Sequence, residues 1–212
     1  MASKKTALAA MVVVAAVLTG CSAPAPDLDE ARSAFLGGAA VPASEATISP
    51  APETYGDVDV PDGYRVIAIR SADDPTADVL VDALEAWASD TGAVVEELSG
   101  SDPDDVEAQI IAATEEQPDL IVGAGAGVVD VFALVTSSFL DQEFLVVGAK
   151  LAEPTENVTA VVWPGAGFRG TGITPEADDD TAAVTPERAR EAVKAGYASI
   201  RLGITGIVVS LP

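Results

Sequence analysis

Histidine is absent from the 212 residues and cysteine occurs once. Without histidine there is no Ser-His-Asp or Cys-His catalytic pair and no histidine metal site, and a single cysteine allows neither an internal disulfide nor a thiolate zinc cluster. Basic side chains are scarce as well, 11 against 34 acidic ones, for a formal charge of −23. Such a surface repels phosphate backbones, which excludes electrostatic binding to nucleic acid. The chemistry left to the chain uses carboxylates, lysine or backbone groups, and its length fits one domain of ordinary size.

What is present begins with Lys4 and Lys5, ahead of an uncharged run that closes in Leu18-Thr19-Gly20-Cys21. The apolar core is too short for a bilayer-spanning helix of roughly 20 residues, and small residues precede the cysteine, as in an export signal. Leu-Thr-Gly-Cys is also the pattern of a bacterial lipobox. The expectation is a lipoprotein signal peptide over 1–20, cleaved to leave Cys21 as an acylated first residue. The alternative is an ordinary secreted protein with a chance cysteine. Acyl chains contribute about 0.8 kcal/mol per buried methylene, so a multiply acylated Cys21 would hold the chain on the extracytoplasmic face of the cell membrane. Cleavage removes two lysines and no acids, moving the formal charge from −23 to −25.

Residues 21–62 are rich in Ala, Pro, Ser and Asp, with no sustained apolar period, and read as a lipidated flexible tether. A turn or two of helix over 29–35 is conceivable, but nothing nearby in sequence would bury it. From residue 63 the pattern changes. Apolar, β-branched runs at 65–69, 93–98, 119–122, 143–147, 158–163 and 206–211 alternate with amphipathic stretches, and most read as strands buried on both faces. Val79, Leu80, Ala83, Leu84 and Trp87 recur at helical spacing, as do Val106, Ile110, Ile111 and Ala113. Asp74-Pro75, Asp102-Pro103 and Thr185-Pro186 each set a capping oxygen before a proline at a first helical position. Residues 63–212 are therefore expected to form an α/β domain, a doubly wound parallel sheet with right-handed crossovers, flavodoxin-like or like one lobe of a type I periplasmic-binding protein.

In such sheets ligands sit beyond the carboxyl ends of the strands. After the first strand, Ser71 and Asp73 are candidates for hydrogen bonds to a ligand hydroxyl, while Asp74 reads as a helix cap. After the third, Gly123-Ala-Gly-Ala-Gly127 opens a helix and either admits a ligand close to the backbone, through Gly123 and Gly125, or packs strand tightly on helix. Trp163 and Phe168, after the fifth strand, offer a stacking face or core packing. Gly165, Gly167 and Gly170 spell a dinucleotide-type Gly-x-Gly-x-x-Gly, but Pro164 breaks the strand before it and no helix can open directly after it. Asp178, Asp179 and Asp180 lack the alternation and closing glutamate of a calcium loop and read as a solvated acidic loop. No cofactor or metal is expected.

The exported lipoprotein start, Ser71-Ala-Asp-Asp-Pro-Thr after strand one, the Asp119-Leu-Ile-Val-Gly-Ala-Gly strand and loop and the later Asn157-Val-Thr-Ala-Val-Val-Trp together resemble the basic membrane protein family of ABC-transporter substrate-binding lipoproteins, over roughly residues 64–170. That resemblance implies a type I periplasmic-binding fold and nucleoside binding. Carried over, it sets Ser71, Asp73, Gly123 and Gly125 against the ligand and Lys150, after strand four, near it. Family members have two lobes and about twice this length, whereas residues 186–212 add one helix and one strand, so the expectation here is a single lobe with half a cleft. The functional expectation is a surface-anchored solute-binding lipoprotein, not an enzyme, whose partners are the bilayer, a small ligand such as a nucleoside, and an ABC permease or a second chain completing the cleft. The alternative is a non-catalytic structural or protein-interaction lipoprotein that keeps the fold without a ligand site.

Overall fold

A computed structural model describes residues 27–56, 58–168 and 181–212. The signal segment, Cys21, Gly170 and Asp178 to Asp180 lie outside the described residues. The elements run α1 (Leu28–Phe35), β1 (Thr47–Ile48), β2 (Arg65–Ser71), α2 (Ala77–Thr91), β3 (Val94–Gly100), α3 (Pro103–Glu115), β4 (Leu120–Ala124), α4 (Ala126–Val135), β5 (Phe144–Val147), β6 (Ala149–Lys150), β7 (Val158–Val162), β8 (Gly167–Phe168), α5 (Pro186–Arg201) and β9 (Ile207–Ser210). All six runs read as strands are strands, and the α/β class stands.

Seven strands form one sheet in the order β1-β9-β7-β5-β4-β2-β3, every pair parallel. Because successive side chains of a strand point to opposite faces, each central strand feeds two cores. Val66 and Ala68 of β2 pack beneath α2 and α5, whereas Ile67 and Ile69 pack beneath α3 and α4. Strands β4, β5 and β7 are buried at every position, which explains why they read as unbroken apolar runs rather than alternating ones. β3 corrects the expectation of two-sided burial. It is an edge strand, exposed at Val94, Glu96 and Glu97, and Arg70 of β2 pairs with Glu97 there, a charged margin that discourages edge-to-edge association.

Helix starts follow local chemistry in two of the three expected places. Asp102 accepts from Asp105 N–H at 2.9 Å and Thr185 from Arg188 N–H at 3.3 Å, each with proline in the first turn. The third start is later than Asp74-Pro75 suggests, since α2 begins at Ala77 behind Thr76. One crossover also departs from the right-handed expectation. From β3 to β5 the chain steps along the sheet with α3 and α4 on one face. From β7 to β9 it steps the same way with α5 on the other, so this connection has the opposite sense. The handedness rule arises where strand twist feeds a short link into the helix. Here Gly165, with φ of +90°, and β8, which pairs with β6 outside the main sheet, intervene.

The tether expectation is corrected over residues 27–56. α1 is capped by Asp27 and fixed by Arg32 Nε–H, which donates to the Leu202 carbonyl at 2.6 Å. Phe35 is 1% exposed and meets Tyr55 edge-on with ring centroids 6.4 Å apart. β1 lengthens the sheet beside β9, and the Tyr197 hydroxyl donates to the Asp59 carbonyl at 2.7 Å. The partners of this segment lie more than 130 residues away, so no local periodicity announces them. Replacing Phe35 by alanine is expected to cost about 3–5 kcal/mol, the range for a buried aromatic. Urea denaturation measures the loss, and limited proteolysis should open residues 27–60 in the variant while the parent chain resists there.

Candidate functional site

The carboxyl ends of β2 and β4 lie side by side where the strand order reverses, since α2 leads from β2 to β3 on one side and α3 returns the chain to β4 on the other. The loops that follow are joined by one side chain. Asp74 Oδ1 accepts from Thr76 N–H at 2.8 Å and from the Thr76 hydroxyl at 2.6 Å, while its Oδ2 accepts from Gly127 N–H at 3.1 Å. Gly127 is in the first turn of α4, and the residue ahead of that helix, Gly125, has no side chain to cap it. Asp74 therefore supplies the cap from a neighbouring loop and sets a carboxylate against the positive end of the helix. An anion site is thus already filled by the chain itself.

The three glycines of the 123–127 loop each answer an internal approach. A Cβ on Gly123 would lie 2.8 Å from the Phe132 ring, and one on Gly127 would lie 2.7 Å from Ser71 Cβ. Gly125, at φ of +87°, would drive a Cβ into the Asp74 carboxylate. Gly123 is moreover inside β4, paired with Val146 and Ile69, so it is part of the sheet and not of the following loop. Of the two roles left open for these glycines, tight packing of strand on helix is the one the contacts display.

Trp163 is likewise turned inward. It is 3% exposed and shares the core beneath α2 and α5, and its ring lies against the Gly148 position, where a Cβ would be 3.4 Å away. Its indole N–H is buried without a hydrogen-bond partner. The stacking face expected at the edge is in the core. Three candidates remain at the rim: Ser71, partly exposed at the end of β2; Asp73, exposed and without a partner among the described residues; and Lys150, half-buried on β6. They surround the β2–β4–β5 end of the sheet. Phe168 follows Gly167 in β8, the strand that pairs with Lys150's own.

Two features escaped the sequence reading. Asp74 looks like an ordinary cap in sequence, and nothing local reveals that its second oxygen reaches a helix 53 residues away. At the opposite, amino edge, a cavity of about 510 Å3 is lined by Glu45, Glu143, Glu153, Glu156, Asn157 and Leu140. Burial raises the Glu143 carboxyl above its ordinary pKa. Asn157 closes the floor, its amide donating to the carbonyls of Thr136, Phe139 and Gln142 at 2.9–3.1 Å. No group of histidine, cysteine or carboxylate side chains among the described residues has the geometry to hold a metal ion, and none of their helices is long and apolar enough to cross a membrane.

The sheet order and its two helical layers define a doubly wound α/β protein. No family model matches the chain, and no curated protein matches it. Solved structures do. A solute-binding protein of an ABC transporter system from Aeropyrum pernix K1 is 18% identical, over 48% of this chain and 29% of that one, with a TM-score of 0.43. A putative lipoprotein fragment from Peptoclostridium difficile 630 is 13% identical over 65% of this chain and 97% of that one, with a TM-score of 0.48. A periplasmic ribose ABC transporter protein from Conexibacter woesei DSM 14684 is 14% identical, over 74% and 56%, with a TM-score of 0.39. The chain spans about a third or less of the length of the first two solute-binding proteins it matches, 29% and 35%.

Asp74→Ala should remove three accepted hydrogen bonds and the α4 cap together. The expected loss is about 2–3 kcal/mol, the scale of hydrogen bonds to a charged group. Chemical denaturation checks it, with Asp74→Asn, which keeps an acceptor, losing less.

Proposed function

We propose that the chain is a solute-binding lipoprotein, held on the extracytoplasmic face of the membrane through acylated Cys21, whose ligand is a neutral polyol of the nucleoside or sugar kind seated over the carboxyl ends of β2, β4 and β5. The observation that carries this reading is the placement of Asp74. Because its carboxylate accepts from Gly127 N–H in the first turn of α4, the backbone donors at that helix start are met from within and do not call for an anionic ligand. The overall charge of −23 works against anions as well. Ser71 and Asp73 remain as hydrogen-bonding groups for hydroxyls, with Lys150 on β6 after them in the chain. A half-cleft open to water forms weaker polar contacts than a closed one, so affinity is expected at micromolar level or weaker unless an ABC permease or a second chain covers it.

In this reading the anchored segment enters the described structure at the edge opposite the ligand. Arg32 ties α1 to the Leu202 carbonyl, at the end of α5 and just ahead of β9, which is the amino edge of the sheet. Five residues separate Cys21 from Asp27, a reach of at most about 20 Å. The amino edge then faces the bilayer and the ligand edge faces outward, open to solute and to a partner chain.

A second reading, a structural or protein-interaction lipoprotein without a ligand, is favoured by one observation: Gly123, Gly125 and Trp163, all candidate ligand residues, are engaged inside the chain. A thermal-shift panel of nucleosides and sugars decides between the two. A ligand at 100 times its dissociation constant adds about 2.7 kcal/mol to native stability. Under the solute-binding reading at least one compound raises the melting temperature, and Asp73→Ala weakens its calorimetric affinity about tenfold with the fold intact, as expected for losing a hydrogen bond to a charged group. A panel without a shift, or an affinity indifferent to Asp73→Ala and Ser71→Ala, returns the chain to the second reading. Anchoring is tested separately: the parent protein should incorporate labelled fatty acid and partition into detergent, and Cys21→Ser should do neither.

A further inference from the structure

The α2 and α5 face carries a cavity well away from the carboxyl edge. About 350 Å3 opens between the two helices and Tyr55, Gly56 and Val58. Its floor is aromatic. Tyr55, Trp87 and Tyr197 line it while remaining 3, 7 and 2% exposed, and the Trp87 and Tyr197 rings are tilted against each other with centroids 4.9 Å apart. Its rim is charged, with Arg190 and Lys194 one turn apart on α5 and Asp90 near the end of α2.

The rim charges are not equivalent. Burial and the neighbouring Glu191 carboxylate raise the Tyr55 phenol pKa to about 12, so it stays protonated at neutral pH. Lys194 lies 3.7 Å from the same Glu191. Arg190 makes no hydrogen bond or ion pair among the described residues, whereas Arg32, Arg65 and Arg70 each reach a carboxylate. In a chain with 34 acidic side chains, a free guanidinium at the mouth of an aromatic-floored cavity is the local positive pole. Arginine's planar fork matches a carboxylate in two parallel hydrogen bonds.

We propose that this cavity binds a small aryl carboxylate, its ring against the Trp87 and Tyr197 floor and its carboxylate on Arg190, with Lys194 beside it. The volume is near the lower end of ligand sites, which run from about 300 to 1,000 Å3, and so favours a single-ring compound. Asp90, across the mouth, opposes a second negative charge on the ligand. This site does not depend on the polyol reading of the carboxyl edge.

Phenylacetate titrated into the mature chain tests the proposal, followed by calorimetry and by the fluorescence of Trp87 and Trp163, the two tryptophans of the sequence. A saturable change is expected. Phenylacetamide, which keeps the ring and loses the charge, should bind about tenfold more weakly, and Arg190→Gln should weaken phenylacetate by a similar factor, the scale of one hydrogen bond between charged groups. Asp90→Asn should tighten it, and Asp73→Ala should leave it unchanged. Arg190 is exposed, so its substitution should not disturb the fold, and a circular dichroism melt confirms that. No saturable binding, equal affinity for acid and amide, an unchanged affinity in Arg190→Gln, or loss of binding in Asp73→Ala would each overturn the assignment.

Discussion

A parallel sheet has to be covered on both faces, and the rest of this structure follows from that constraint. Each central strand sends alternate side chains into two separate cores, so β4, β5 and β7 contain almost nothing polar, and helices must supply the matching apolar stripes. Thr159 is the exception on β7, fully buried with its hydroxyl unpartnered. Covering the α2 and α5 face takes more than two helices. Phe35 and Tyr55, from the segment ahead of β2, complete that core, which is why a stretch with no periodicity of its own is held in place.

The same constraint fixes what the carboxyl edge can do. Sheet and helices must approach closely at β4 and α4, and the approach is made by removing side chains at Gly123, Gly125 and Gly127. That leaves α4 without a local cap. The carboxylate of Asp74 fills the gap from the neighbouring loop, and a cluster of amides that would otherwise attract anions becomes an internal joint. In the proposed function, recognition at this edge falls to side chains on its rim, which suit polar neutral ligands better than charged ones.

Charge is distributed unevenly around this frame. Carboxylates line the cavity at the amino edge, and the raised pKa of Glu143 is the mark of burial that no cation offsets. The α5 flank carries Arg190, which lies beside a cavity and makes no ion pair among the described residues.

Sequence alone determined the α/β class, six strands and the caps at Asp102 and Thr185, because burial of a whole strand and a capping oxygen before proline are local signals that survive any tertiary arrangement. It also singled out the loops after β2 and β4, which the structure joins through Asp74 and Gly127. It could not assign Asp74, since an ordinary cap and a bridge to another helix have the same sequence appearance. Nor could it choose between the two roles of the glycine loop or of Trp163, because a small residue and an aromatic ring suit a ligand and a core equally well until their neighbours are known. β3 reads like the central strands, and only its position at the end of the sheet leaves it exposed. Phe35 and Tyr55 show the limit most plainly: their burial depends on β9 and α5, which lie far along the chain, and only the folded structure brings those surfaces to them.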